Sequence, residues 1–179
     1  MIGNKCLGGA SLKKELTMKK LLFGGNGGYG PLFTRIALGG VLFPHGAQKL
    51  LGWFGGFGFE GSMNYFTQQR GLPWIVGFLV ILIEFFGALA IIVGAATRLS
   101  AVAMMSVMTA VIITTFNDHF FMNWFGTQKE EGYEFFLLAI GMSASLVISG
   151  AGSFSIDKLI MRRNSGGKTL HGQAYHSAA

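Results

Sequence analysis

The chain of 179 residues is 51% hydrophobic but only 12% charged, with a formal net charge of +6. A mean hydropathy of +0.49 excludes an ordinary soluble helical domain, in which each long helix would carry a polar face. Most of the basic residues lie outside the long apolar runs, so the charge reads as a membrane-topology signal and no nucleic-acid partner is expected.

Residues 1–30 read as a basic cytoplasmic N-terminal segment carrying Lys5, Lys13, Lys14, Lys19 and Lys20. It contains no apolar stretch of signal-peptide length, and "MKKLLFGGNGGYG" from Met18 resembles a natural start, so the first 17 residues read as an over-long beginning. The lone cysteine, Cys6, excludes an internal thiol relay built on paired cysteines. "GGNGGYG", residues 24–30, lacks the Lys-Ser/Thr of a phosphate loop and reads as a flexible approach to the first span.

Four segments are long enough to cross roughly 30 Å of hydrocarbon: 32–51, 73–95, 99–117 and 133–150. The first is interrupted by polar groups in "VLFPHGAQKLLGWF". At 100° per residue, Arg35, His45 and Lys49 fall within an arc of roughly 80°, beside Gly39 and Gly46. Charges facing lipid are costly, so this face is expected to point inward, with the glycines allowing close helix approach and Pro44 introducing a bend.

After the first span, "GFGFEG" at 56–61 matches GxGxxG but has no strand–turn–helix setting, so no dinucleotide is expected. "SMNYFTQQRGLP" reads as a short amphipathic helix stopped by Gly71 and Pro73, lying in the outer interface as a lid between Trp53 and Trp74. The second span contains one charge, Glu84, near its middle. In the third, Met104, Met105 and Met108 read as packing residues, and Ala103, Ser106, Ala110 and Thr114 as helix-contact surface. Asp118 and His119 follow, and Glu134 opens the fourth span, where Gly141 and Ser145 read as a further contact stripe. His45, Lys49, His119 and Glu134 are thereby expected at one membrane level, with Arg35 near the other side at the height of Arg98.

Lysines and arginines before the first span, at Arg98, and after the fourth at Lys158, Arg162, Arg163 and Lys168 place both termini in the cytoplasm by the positive-inside rule. The fold expected is all-α: an integral membrane four-helix bundle over 31–160 in a bacterial cytoplasmic membrane, followed by a disordered tail from 161 to 179.

The ordered pieces "TRIALGGVLFPHGAQKLLGWFGG", "NYFTQQRGLP", "EFFGALAIIVGAATRLSA" and "GAGSFSID" resemble the DoxX family of small bacterial membrane proteins, over about Pro31 to Lys158. The resemblance implies a four-helix integral membrane protein, some relatives being associated with quinol oxidation, thiosulfate:quinone oxidoreduction or membrane redox complexes. It points to Arg35, His45, Lys49, Glu84 and Arg98, with "GAGSFSID" as a cytoplasmic junction.

Together these readings lead to an expected redox accessory subunit holding a quinone-like ligand. Glu84 and His45 would exchange protons with the headgroup, while Arg35, Lys49, His119 and Glu134 would bind the ligand. No flavin, iron–sulfur or nicotinamide motif is present, so electrons would pass to a redox partner protein. Two histidines, His45 and His119, without further signature do not make a haem site, and no metal is expected. The competing expectation is a non-catalytic scaffold or small-solute or lipid-handling protein, alone or as a homo-oligomer, in which Arg35, Glu84 and Glu134 lock the helices together. In that reading Lys49 simply snorkels to the headgroups and His119 is an interfacial loop residue.

Overall fold

Helix α1 begins at Gly30 with Pro31 in its first turn, where a missing N–H costs nothing, and runs to Leu51. It passes through Pro44 and ends at Gly52, whose φ of 72° is the left-handed cap that glycine adopts without strain. The computed structural model describes residues 17–18, 28–114, 119–126 and 131–166, and among them every regular element is helical. The expectations for Cys6, the N-terminal lysines, Asp118 and Lys168 lie outside the described residues.

A short 3₁₀ turn, Trp53–Gly55, leads into α2, Gly58–Asn64, which loosens into a π-turn at Tyr65–Gln69. This is the lid segment, and it stops as the sequence suggests, at Gly71 with φ 65° followed by Pro73. Helix α3 spans Trp74–Val93 and contains a second π-turn, Ile83–Gly87. Helices α4, Thr97–Thr114, and α5, Glu134–Ser149, follow. Helix α6, Ile156–Gly166, begins in the quoted "GAGSFSID" stretch and carries helical structure into the region expected to be tail.

The four long helices share one core: Leu38 and Leu42 from α1, Ala88 and Ile91 from α3, Met104 and Met108 from α4, and Ala139 and Leu146 from α5. The methionines are packing residues here, as their flexible shape suits. The small-residue stripes are not the contact surfaces expected of them. Ser106, Ala110, Thr114, Gly141 and Ser145 are exposed, and α4 and α5 turn Ala101, Met104, Val107, Ser143 and Leu146 inward instead. When both faces of a helix are apolar, periodicity carries no inside–outside signal, and small size alone mistook one face for the other.

The outer surface is correspondingly greasy. Phe33, Ile36, Leu79, Phe86, Leu99, Ile113, Leu138 and Ile148 all project from helix flanks. Helices α3 and α4 are long and apolar enough to cross a membrane, and α5 is a shorter apolar helix of 16 residues.

At the end of the molecule formed by the start of α1, the α3–α4 turn and the start of α6, Arg35 is fully buried. Its guanidinium donates to the carbonyls of Ile92 at 2.9 Å, Ser153 at 2.9 Å and Phe154 at 3.0 Å, with a longer contact of 3.5 Å to Ile91. Ile91 and Ile92 belong to the last turn of α3, where the Ile91 carbonyl also accepts the Gly94 N–H at 3.2 Å, and a cation is well placed at this negative end of the helix dipole. Asp157 completes the junction, accepting the Ala96 N–H at 2.7 Å and the Thr97 N–H at 2.9 Å and so capping α4 from a remote segment. Gly94, with φ 70°, lies against Arg35 and Ser155, and an added Cβ would collide with both.

Candidate functional site

The opposite end of α1 carries the charge pair. Lys49 lies in its last turn, and its Nζ donates to Glu84 Oε2 at 2.5 Å. The Glu84 side chain is 6% exposed and that of Lys49 28%, so the carboxylate is enclosed while the ammonium reaches toward the mouth. His45 stands one helical turn before Lys49 on the same helix, its ring 6.0 Å from that of Phe135.

The local backbone brings these groups together in two ways. Glu84 sits within the π-turn Ile83–Gly87, where one extra residue per turn changes the direction of the side chain relative to a regular helix. Gly46 faces that turn directly: a Cβ added there would stand 2.6 Å from the backbone of Glu84 and Phe85. Only a glycine lets α1 and α3 approach this closely at the level of the carboxylate.

His45, Lys49 and Glu84 form the polar corner of a cavity of about 460 Å³. Its walls are apolar, from Leu42, Val80, Met108, Val111, Phe135 and Phe136, and the lid closes one side with Tyr65 and Phe66. Tyr65 is held from behind by Arg70, which donates its Nε–H to the phenolic oxygen at 2.7 Å and lies over the ring at 5.3 Å. Glu131 also reaches the cavity. Sequence reasoning did not single out Tyr65 or Glu131; the only trace of the first is its spacing from Arg70 in "YFTQQR". Nor does sequence signal the π-turn.

The remaining expected site residues lie elsewhere. Arg35 sits about 15 Å of helix rise from His45 and binds backbone carbonyls, so it does not contribute to the cavity. Glu134 does not join His45 and Lys49 either: its Oε1 accepts the Met122 N–H at 3.0 Å and the Trp124 indole N–H at 3.1 Å, fixing the loop before α5. His119 is exposed and does not line the cavity; its carbonyl accepts the Tyr133 N–H at 3.0 Å. These corrections share one cause. Equal height along the bundle does not specify direction, and Arg35 and Glu134 both turn toward backbone or indole groups nearby. Among the described residues no cluster of three or more potential metal ligands occurs.

Residues 30–118 match the family model described as DoxX, the stretch that holds the charge pair, the lid and the π-turn. The chain carries a DoxX domain. A curated relative from Bacillus subtilis (strain 168), named "Putative oxidoreductase CatD", is 27% identical over 138 residues, covering 77% of this chain and 92% of that protein. No solved structure matches the chain. The resemblance read from the quoted motifs is thus borne out at the level of the DoxX family.

Proposed function

We propose that this DoxX-domain protein is an integral protein of a bacterial cytoplasmic membrane, crossing it with α1, α3, α4 and α5, and that it serves as a redox accessory subunit holding a quinone-type ligand. The observation that carries the reading is the Lys49–Glu84 pair at 2.5 Å, at the polar corner of a mostly apolar cavity of about 460 Å³ that Glu131 also lines. That combination suits an amphipathic molecule with a polar ring and an apolar tail, since ligand sites are mostly apolar with a few convergent polar groups. The oxidoreductase name of the B. subtilis relative supports a redox setting.

In this reading the tail lies among Leu42, Val80, Met108 and Val111, and the ring reaches Lys49 and Glu84. Oxidation of a quinol releases two protons and two electrons. Glu84 and His45 accept protons at the polar corner, and Lys49 stabilises the oxyanion left when the first departs. The electrons pass to a redox partner protein, because the chain holds no motif for an electron-carrying group of its own. Both termini lie in the cytoplasm, placing the lid and cavity mouth on the outer side.

The test is mass spectrometry of organic extract from full-length protein purified gently in detergent, beside Glu84→Gln and Lys49→Met. Quinone retained by wild type and lost from both variants, with unchanged elution from a sizing column, is the expected result. Wild-type protein extracted by the same procedure without any quinone would overturn the proposal and favour a scaffold held together by these charges.

A further inference from the structure

Helix α6 presents its apolar side away from the protein. Asp157 points inward and is 1% exposed, whereas Ile156, Leu159 and Ile160 are 42%, 65% and 39% exposed. The preceding Phe154, at 79%, extends the same apolar margin. Beside it, Lys158 and Arg162 stand one turn apart on the helix and face a groove of about 630 Å³ bounded by Tyr29, Val93 and Leu159. Among the described residues no acidic side chain lines this groove: Asp157, the acid next to Lys158, is engaged by the N–H groups of Ala96 and Thr97.

Two features determine what fits. The paired cations suit an anion, and the groove runs from them to Val93, an exposed residue in the last turn of the membrane-length helix α3. A free phosphate would satisfy the cations and leave the apolar wall bare. We infer that the groove between α6, Tyr29 and the end of α3 is a binding site for an anionic phospholipid, with Lys158 and Arg162 on the headgroup phosphate and an acyl chain along Val93, Tyr29 and Leu159. Basic residues at a membrane surface together with exposed apolar side chains are the general requirements for such a contact. The inference rests on the membrane reading above, but not on the quinone cavity, which lies at the other end of α1. A lipid here would brace the junction in which Arg35 holds Ser153 and Phe154.

The experiment uses the full chain. Resistance of the protein to alkaline carbonate extraction is measured first, and release into the soluble fraction would overturn the membrane reading itself. Detergent-purified protein is then titrated with phosphatidylglycerol or phosphatidylcholine and bound lipid is counted by native mass spectrometry. Phosphatidylglycerol is expected to bind more tightly, and Lys158→Gln/Arg162→Gln together to weaken it by about thirtyfold, the effect of removing two surface cations. Arg163→Gln, on the neighbouring flank of α6, is expected to leave most of that affinity in place. A carbonate-resistant protein that binds both lipids equally, or loses as much affinity with Arg163→Gln as with the double variant, would overturn the site. So would displacement of the lipid by inorganic phosphate at the same concentration.

Discussion

Glu84 and Lys49 are legible as polar residues in apolar helices, but their pairing is a matter of three dimensions. A carboxylate 6% exposed requires a counter-charge, and the nearest is Lys49 at 2.5 Å. Removing one partner leaves the other without compensation, whereas removing both does not. Glu84→Gln and Lys49→Met are therefore each expected to lower stability, and the double variant to lose less than their sum by about 1–3 kcal/mol. Unfolding followed in detergent micelles measures this; strictly additive losses would show that the pair is not coupled. Arg35 behaves differently. Its fork reaches carbonyls on two separate segments, and lysine supplies the charge without the fork. Arg35→Lys is expected to cost at least about 2 kcal/mol while leaving ligand binding in the distant cavity intact, since charged hydrogen bonds contribute about 1.5–3 kcal/mol each. Loss of ligand from a folded Arg35→Lys protein would restore Arg35 to the site.

Where the elements lie was readable, because long apolar runs ended by Gly and Pro leave few choices. The expected spans 32–51 and 133–150 correspond to Gly30–Leu51 and Glu134–Ser149, and the lid helix lies between α1 and α3. How the elements face one another was much less readable. Arg35, Gly39 and Gly46 did mark the inward side of α1, because a charge and a glycine stand out against leucine. Nothing comparable exists on α4 or α5, and there the small-residue stripes misled. The π-turn at Glu84 was hidden for another reason: "IEFFG" has no composition that separates it from ordinary helix. Its consequence is testable through Gly46. A Gly46→Val side chain meets the backbone of Glu84 and Phe85, which cannot yield as a side chain does. The substitution is expected to cost about 1–3 kcal/mol and to separate Lys49 from Glu84, so that stability and any bound ligand fall together. A variant as stable as wild type would mean that the helices do not approach this closely. At the other end, Asp157→Ala removes both acceptors of the α4 cap and is expected to cost about 1–2 kcal/mol, read from the same unfolding curves, without altering ligand content.

For the whole molecule, the distribution of polar contacts argues for a fixed orientation. The junction of Arg35 and Asp157, together with Lys158, Arg162 and Arg163, occupies one end, and the lid, the cavity mouth and the loop held by Glu134 occupy the other. Between them the helix flanks are apolar, and water on both ends with lipid around the middle is the environment that leaves the fewest groups mismatched. The proposed orientation puts the end with the three cations in the cytoplasm. Cysteine substitution tests this cleanly, since Cys6 is the chain's single native cysteine and can be replaced by serine. Gln69→Cys at the end of the lid and Arg163→Cys on α6 both alter exposed side chains. In intact spheroplasts a membrane-impermeant maleimide is expected to label the cysteine at 69 and to leave that at 163 untouched until the cells are lysed. Labelling of 163 alone would invert the orientation and turn the cavity mouth toward the cytoplasm. Labelling of both would mean that the ends of the protein do not lie on opposite sides of a membrane. Only the first pattern gives the lid access to a partner on the outer side while α6 meets the inner leaflet.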